Sequence, residues 1–566
     1  MEFANNALGI QDFEKIRENR TFYVDKTNFI KEWWSVGSDV TLITRPRRFG
    51  KTLNMSMLEC FFSNKFAGRR DLFEGLCISE DEEMMALQGT YPVIFLSFAS
   101  LKADTYKGFK LQLLALLEEV YEKHPEVEKD YFFTDVRLQM SECIRQNKVA
   151  DINGDILCRL LKNLSQRLYA YYGKKVIILL DEYDTPMQEA YMQGYWDEMV
   201  ALIRPMFNAT FKSNDALYRA VMTGITRVSK ESIFSDFNNP DIVTTTSNKY
   251  TTAFGFTEEE VFSALNGQGM SDRKEEVKLW YDGFRFGDVE DIYNPWSIIN
   301  FLSEKRLGTY WTNTSSNGLV SQLVQKGDKN MKMVVWDLME EKTFHTMIDE
   351  QIVFSQLDED ENAVWSLLLA SGYLKIVNYE FNTKEGMVEC DLALTNTEVV
   401  FMFRKMVRGW FGKTKSAYND FIKALLQNDI EAMEYYMNKV ALSTFSSFDT
   451  GNHPSGESEP ERFYHGFVLG LLVELKEDYN ILSNRESGFG RYDMLLEPLK
   501  GELPAIVMEF KVYNKKKEKG LEDTVASALT QIEERQYDRT LLDKGIAPER
   551  IFHYGFAFEG KKVLIG

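Results

Sequence analysis

The stretch Val40–Thr52, Val-Thr-Leu-Ile-Thr-Arg-Pro-Arg-Arg-Phe-Gly-Lys-Thr, constrains this chain more than any other. An apolar run able to form a buried strand leads into a tight turn that closes on Gly50-Lys51-Thr52. A helix-compatible segment, Leu53 to Phe62, follows at once. That order is the architecture of a phosphate-binding loop. Backbone N–H groups and a helix N-terminus cradle phosphates, the lysine neutralises β/γ charge and the threonine hydroxyl reaches Mg²⁺. The first glycine of the general motif falls here on Arg45, so a chance Gly-Lys-Thr turn is the competing reading.

A nucleotide site of this kind needs a second half, an acidic residue at the end of another buried strand. Val176 to Leu180 is an unbroken aliphatic run with Asp181-Glu182 immediately after it. Such a run suits a central parallel strand buried on both faces, and ligands in open α/β sheets sit beyond the carboxyl ends of such strands. Asp181 is then placed to hold Mg²⁺ and Glu182 to polarise a water attacking the γ-phosphate. Tyr91 to Phe98 supplies an intervening strand. Tyr218 to Thr223 supplies a later one, running into Gly224-Ile225-Thr226-Arg227. This succession fits the ATPase branch that carries a catalytic glutamate, whose last strand offers a polar sensor. Thr223, Thr226 and Arg227 are the candidates, with Arg227 the best cation and an ordinary loop arginine its alternative.

Arg45-Pro-Arg-Arg-Phe-Gly-Lys-Thr52, preceded by Tyr23-Val-Asp-Lys-Thr27 and followed by Asp181-Glu-Tyr-Asp-Thr-Pro186, resembles the bacterial AAA-ATPase-like family. Trp280-Tyr-Asp-Gly-Phe-Arg-Phe286 and Tyr293-Asn-Pro-Trp-Ser297 also resemble signatures of that family. The resemblance runs over nearly the whole chain, and in the family an arginine at the first loop position is normal. It implies ATP binding, hydrolysis and kinship with archaeal-type and STAND-like switch ATPases. It also implies a nucleotide-contacting set of Arg45, Arg48, Phe49, Gly50, Lys51, Thr52 and Asp181, with Glu182 and Arg227 as catalytic groups. Asp25 is either the cap of the helix-compatible segment Lys26–Trp34 or, by resemblance, a base or ribose contact. Arg47 and Arg48 can touch phosphate or pair with surface carboxylates.

A second constellation lies near the C-terminus. Gly488-Phe-Gly-Arg-Tyr-Asp493 leads into Met494-Leu-Leu496, and after a turn over residues 498–504 the run Ala505-Ile-Val-Met-Glu-Phe-Lys511 follows. Strand side chains alternate, so Glu509 and Lys511 share a face, and a hairpin can bring Asp493 beside Glu509. Two carboxylates make a hard-oxygen Mg²⁺ pocket, and a metal there acidifies its water and stabilises charge on a scissile phosphate. Ala528 to Tyr537 reads as a helix that brings Gln531 and Tyr537 to the same edge. Together with Gln531-Ile-Glu-Glu-Arg-Gln-Tyr537, these residues resemble the PD-(D/E)XK nuclease superfamily. The resemblance implies a further metal ligand from the preceding helix, with Glu461 first and Glu474 second. His465 reads as a packed or capping histidine rather than a ligand.

The chain has 566 residues, which suggests about three domains. The expected fold is α/β throughout: a parallel-sheet P-loop core over residues 1–255, a helical extension and winged-helix-like region over 256–404, and an α/β nuclease-like domain over 405–566. Phe256–Leu302 reads as helical. Ala363–Ile376 reads as a helix that breaks at Gly372 into a strand, with a second strand at Met387–Leu394. Tyr418–Val440 reads as one helical stretch. Five scattered cysteines without a close pair indicate a reducing cytoplasm, and no apolar stretch is long enough to span a bilayer.

The net charge of −20 argues against coating nucleic acid by electrostatics alone. From Glu461 onward, however, 16 Lys and Arg face 18 Asp and Glu, so nearly all of the imbalance lies upstream. The expected function is therefore an ATP-binding, ATP-hydrolysing protein whose nucleotide cycle controls a Mg²⁺-dependent nuclease acting on DNA. An ATP-dependent homo-oligomer is expected, and no membrane partner. The alternative is a STAND-like switch or assembly protein with a non-cleaving C-terminal domain.

Overall fold

The computed structural model describes residues 8–127, 131–146, 154–228, 240–312, 318–326, 329–339, 341–349, 351–352, 357, 360–383, 387–410, 415–444, 468, 472, 475, 478–487, 490–500, 503–515, 517–559 and 562–566. The chain divides into two compact units. One comprises Met1–Val324 with Glu341–Phe401, the other Gln325–Glu340 with Met402–Gly566.

The first unit is built on five parallel strands: β1 (Val40–Thr44), β2 (Val93–Ser97), β3 (Val176–Asp181), β4 (Leu217–Gly224) and β5 (Asp241–Val243). Their order in the sheet is β2-β3-β4-β1-β5. Every residue of β1 and β3 is buried, which is why both read as continuous apolar runs rather than as alternation. The acidic strand does not touch β1, because β4 lies between them. Register brings Ser97 opposite Asp181 and Thr44 opposite Gly224, so the polar strand ends form one row along the carboxyl edge. The helix after β1, α1 (Lys51–Phe62), starts directly behind Gly50, whose φ of 81° is left-handed. Glycine adopts that conformation without steric cost, so the turn can be as tight as the loop requires.

Beyond β5 the first unit departs from the helical reading of Phe256–Leu302. Three α-helices, Glu258–Gly267, Lys274–Tyr281 and Pro295–Glu304, are present. A three-stranded antiparallel sheet of Phe256–Thr257, Val289–Tyr293 and Phe284–Phe286 accompanies them. The physical reason is local: Phe284 and Phe286 are buried on either side of the half-buried Arg285, a period of two that a helix cannot use. Farther on, the helix Glu361–Ala370 stops before Gly372, and Leu374–Asn382 pairs antiparallel with Met387–Leu394. A third strand, Phe344–Ile348, completes that sheet.

The second unit carries a mixed sheet of β6 (Tyr479–Ser487), β7 (Gly490–Pro498), β8 (Ala505–Val512), β9 (Ile551–Glu559) and β10 (Lys562–Ile565), in that order. Only β8 and β9 run parallel, and the helix α2 (Leu521–Arg535) lies in the crossover between them. The stretch Tyr418–Val440 is not one helix. It falls in two, Lys415–Leu426 and Ile430–Thr444, with Asn428 left-handed at φ 56° between them. Asparagine is one of the few residues that tolerates that conformation.

Gly372 offers a test of this packing. Its φ is +83°, and a Cβ there would lie 2.9 Å from Pro46 and 2.9 Å from Phe284. Gly194 is also left-handed at +78°, but nothing lies within 4 Å of its Cβ position. Gly372→Ala should therefore cost about 2–4 kcal/mol and Gly194→Ala only about 1 kcal/mol in urea-induced unfolding. Equal costs would show that the contact with Pro46 is not tight.

Candidate functional site

The phosphate loop and the ends of β3 and β4 converge at the carboxyl edge of the first sheet. Thr52 on the first turn of α1 donates its hydroxyl to Asp181 Oδ2 at 2.7 Å. Thr223 at the end of β4 donates to the other oxygen of the same carboxylate. Asp181 is 1% exposed. Burial, with the neighbouring Glu182 charge behind it, pushes its pKa up. The two hydroxyl bonds and Lys51 pull it back. A buried carboxylate held by two hydroxyls is a hard-oxygen set that fits Mg²⁺.

Lys51 is also buried, with Nζ donating to the carbonyls of Arg45 and Pro46, 3.0 Å each. It stands 3.9 Å from Glu182 Oε1. Glu182 has φ 54°, unusual for a residue with a side chain, and accepts a hydrogen bond from Thr185 Oγ1 at 3.2 Å. The left-handed turn lifts its carboxylate off the strand direction toward Lys51. Gly50, Lys51, Thr52, Asp181, Glu182 and Thr223 are thus brought together.

The remaining loop side chains point elsewhere. Arg45 is fully buried. Its guanidinium donates to the carbonyls of Thr44 (3.0 Å), Thr244 (2.6 Å) and Lys249 (3.2 Å) and lies 4.3 Å over the Phe286 ring. Its backbone N–H is donated to Gly224 O. The resemblance implies nucleotide contact by Arg45; here its guanidinium is taken up by carbonyls and aromatic faces inside the protein. Phe49 likewise packs its ring against Phe284 and Phe286, with centroids 4.7 and 5.5 Å away. Arg48 is exposed, left-handed at φ 66°, and stacked 4.6 Å over Trp296. Arg47 Nη2 donates to Gln188 Oε1 at 3.3 Å.

The other sensor candidates separate. Thr226 is buried and donates to Asp184 rather than Asp181. Arg227 starts the two-residue strand Arg227–Val228, which pairs in parallel with Gln351–Ile352. Asp25 spends both oxygens on protein, Oδ1 on the Thr27 amide and hydroxyl and Oδ2 on the Cys77 amide; the helix itself is Asn28–Val36 with Thr27 at its N-cap, so Asp25 braces that cap rather than being it.

Reading motifs alone missed what surrounds the loop. Asn294 caps the helix Pro295–Glu304 with its oxygen, and its Nδ2 donates to Arg47 O at 3.2 Å. Ser297 in that helix donates to Glu398 Oε2 at 2.7 Å. The other oxygen of Glu398 accepts the Trp311 and Thr312 amides at 2.6 and 3.2 Å. The signal was present in Asn294-Pro295, a capping residue followed by proline at the first helical position.

In the second unit, the pairing of Met494 with Met508 sets Asp493 beside Glu509 on neighbouring antiparallel strands. Asp493 Oδ2 accepts the Phe510 amide at 2.9 Å, and burial pushes its pKa up to about 6 against that bond and the Lys511 charge. Lys511 Nζ donates to Gln531 Oε1 at 2.8 Å. The Gln531 amide donates to Glu509 Oε1 and, at 3.1 Å, to the Tyr537 hydroxyl oxygen. Asp493, Glu509, Lys511, Gln531 and Tyr537 therefore form one neighbourhood, whose paired carboxylates again suit a divalent cation. Glu461, Glu474, His465, Gly488 and Phe489 lie outside the described residues.

Residues 7–234 match the model of a family described as a predicted AAA-ATPase. Residues 459–566 match that of the PD-(D/E)XK nuclease superfamily. The chain is also similar to an uncharacterized protein in the vnfD 5' region of Azotobacter chroococcum mcd 1, at 27% identity over 382 residues. That match takes in 65% of this chain and spans 63% of the relative's length. An ATPase-like domain and a nuclease-fold domain are thus present on one chain. Among the described residues no helix is long and apolar enough to cross a membrane.

Glu398 gives the wall a pH signature. It is 1% exposed, and burial pushes its pKa up to about 7. A carboxyl raised from an unfolded value of about 4.3 stabilises the fold below that pH, and the contribution is lost as pH rises through about 7. Glu398→Gln keeps an acceptor for the two amides but cannot ionise. The stability of the variant relative to wild type should therefore rise by on the order of 2–3 kcal/mol between pH 4 and pH 8. Urea unfolding at both pH values checks this, and a pH-independent difference refutes it.

Proposed function

We propose that the chain binds ATP with Mg²⁺ at the first site, hydrolyses it, and uses the cycle to govern a Mg²⁺-dependent nuclease site acting on DNA. The observation that carries this reading is the meeting of Thr52, Asp181, Lys51 and Glu182 at one sheet edge. In this reading Gly50 lets the backbone approach the phosphates, and Lys51 leaves the Arg45 and Pro46 carbonyls to neutralise β/γ charge. Thr52 and Asp181 hold the cation. Glu182 orients and deprotonates the attacking water, while Thr223 and Arg227 face the γ-phosphate from the end of β4. Arg48, released from Trp296, is the loop cation free to reach phosphate.

At the second site Asp493 and Glu509, with Glu461 as a further ligand, hold the cation. Lys511, steadied by Gln531, orients the hydrolytic water or stabilises charge on the phosphate. Bound Mg²⁺ supplies Lewis-acid charge neutralisation at both places. In this reading residues 1–255 form the ATPase part, 256–404 a helical extension and winged-helix-like region, and 405–566 the nuclease part. No disulfide joins the five cysteines, in keeping with a cytoplasmic setting. The net charge of −20 favours a second reading, an ATP-dependent switch that assembles into homo-oligomers and only binds through its C-terminal domain.

Titration calorimetry and cleavage assays separate these readings. Lys51→Ala should lower ATP affinity at least tenfold. Glu182→Gln should keep that affinity and lose turnover. Asp493→Ala and Lys511→Ala should abolish metal-dependent cleavage of DNA with ATP affinity unchanged. If wild-type protein cuts no DNA or RNA with any nucleotide and Mg²⁺ or Mn²⁺, the switch reading replaces the nuclease reading. Growth in particle size when ATP is added to Glu182→Gln would then be its signature.

A further inference from the structure

The turn after β3 carries a third carboxylate that neither proposed reaction uses. Asp184 is fully buried. Its Oδ2 accepts four hydrogen bonds: from the Ile225 amide (3.0 Å), the Thr226 amide (2.8 Å), the Thr226 hydroxyl (2.7 Å) and Gln188 Nε2 (3.2 Å). Gln188 stands one turn farther along the helix Thr185–Gln193, and its own oxygen accepts from Arg47 Nη2 at 3.3 Å. An unbroken hydrogen-bonded line therefore runs from the phosphate loop through Gln188 and Asp184 to the residues just past β4. Tyr183 stitches the same two segments twice more, its amide to Thr223 O at 2.9 Å and its hydroxyl to Thr226 O at 2.7 Å.

A carboxylate without water around it is costly unless hydrogen bonds compensate, and burial raises the pKa of Asp184 while the three bonds from Ile225 and Thr226 oppose the shift. Charge-assisted bonds hold their partners more rigidly than neutral ones. What is held is informative. The pinned pair, Ile225 and Thr226, lies between Thr223, which donates to Asp181, and Arg227. The far end of the line is Arg47, within the loop that turns around the phosphates.

We infer that Asp184 and Gln188 are positioning residues that lock the Thr223–Arg227 segment to the phosphate loop through Arg47, setting that segment's distance from the γ-phosphate. The inference rests on the ATP-hydrolysis reading. Misplacing a catalytic group by an ångström can cost a hundredfold in rate while leaving affinity untouched, and that split distinguishes positioning from binding.

The test measures ATP hydrolysis at saturating ATP·Mg²⁺ and the affinity for ATP·Mg²⁺ by calorimetry, both on the full chain. Gln188→Met removes the link at a half-buried helix position while keeping side-chain volume. It should lower turnover about tenfold or more and leave affinity within about twofold. Arg47→Met should do the same. The double variant should lose little beyond either single one, since both cut one line. Asp184→Asn, whose amide oxygen can accept the same four donors, should retain more turnover than Asp184→Ala. Multiplicative losses in the double variant, affinity falling in step with turnover, or variants as fast as wild type would overturn the inference alone. A wild-type chain that binds ATP and never hydrolyses it would overturn the hydrolysis reading and this inference together.

Discussion

Everything at the first site depends on how the five residues between β1 and Gly50 are held. Each is gripped by side chains or backbone more than a hundred residues away in the chain. Arg45 is fixed by the carbonyls of Thr244 and Lys249 and by the Phe286 ring, and Pro46 lies against Gly372. Arg47 is tied through its carbonyl to Asn294 and through its side chain to Gln188, Arg48 is stacked on Trp296, and Phe49 sits among Phe284, Phe286 and Gly255. A turn of this kind has too few bonds of its own to define one geometry. Fixing a residue's backbone costs about 1–2 kcal/mol in entropy, which only such contacts can offset.

The arrangement also shows why a motif with arginine in place of the first glycine can fold. Glycine at that position would leave the space beneath β5 to be filled by something else. Here the guanidinium fills it, bonded to three carbonyls and lying over an aromatic face, so the long side chain becomes part of the core. The same economy appears in Asp181 and Asp184, two buried carboxylates three residues apart. One is held by the hydroxyls of Thr52 and Thr223, the other by the Ile225 and Thr226 amides and the Thr226 hydroxyl. Their environments divide the work between them.

The parts of this architecture set by short-range chemistry were legible in the residues. An apolar run ending in Asp181-Glu182 can be little other than a central strand, and Gly50-Lys51-Thr52 announces the helix it starts. Glu509 and Lys511 alternate on a strand as their spacing demands, and Gly372 ends a helix where a glycine would. What stayed hidden depends on partners distant in the chain. Nothing local tells Arg45 to turn inward, because its carbonyl partners lie some two hundred residues away. The three short strands around Phe284 and Tyr293 were masked by helical segments on either side. The two motifs Trp280–Phe286 and Tyr293–Ser297 stood out as unusual, yet their purpose appears only when Phe284, Phe286, Asn294 and Trp296 are seen lining one loop.

That placement changes what counts as the ATPase part of the chain. The matched ATPase-like segment ends at residue 234, but the groups that hold the phosphate loop lie at 244–255, 284–296 and 372. The contacts nearest the loop are therefore the strands around Phe284 and the helix after Asn294. Through Ser297 and Glu398 that helix reaches Trp311, which stacks on Tyr373 beside Gly372. These contacts form a closed ring from Pro46 back to Pro46. Closely packed groups respond to a displacement by switching between discrete arrangements rather than by yielding gradually. The segment beyond residue 234 thus supplies the surface against which the loop is held.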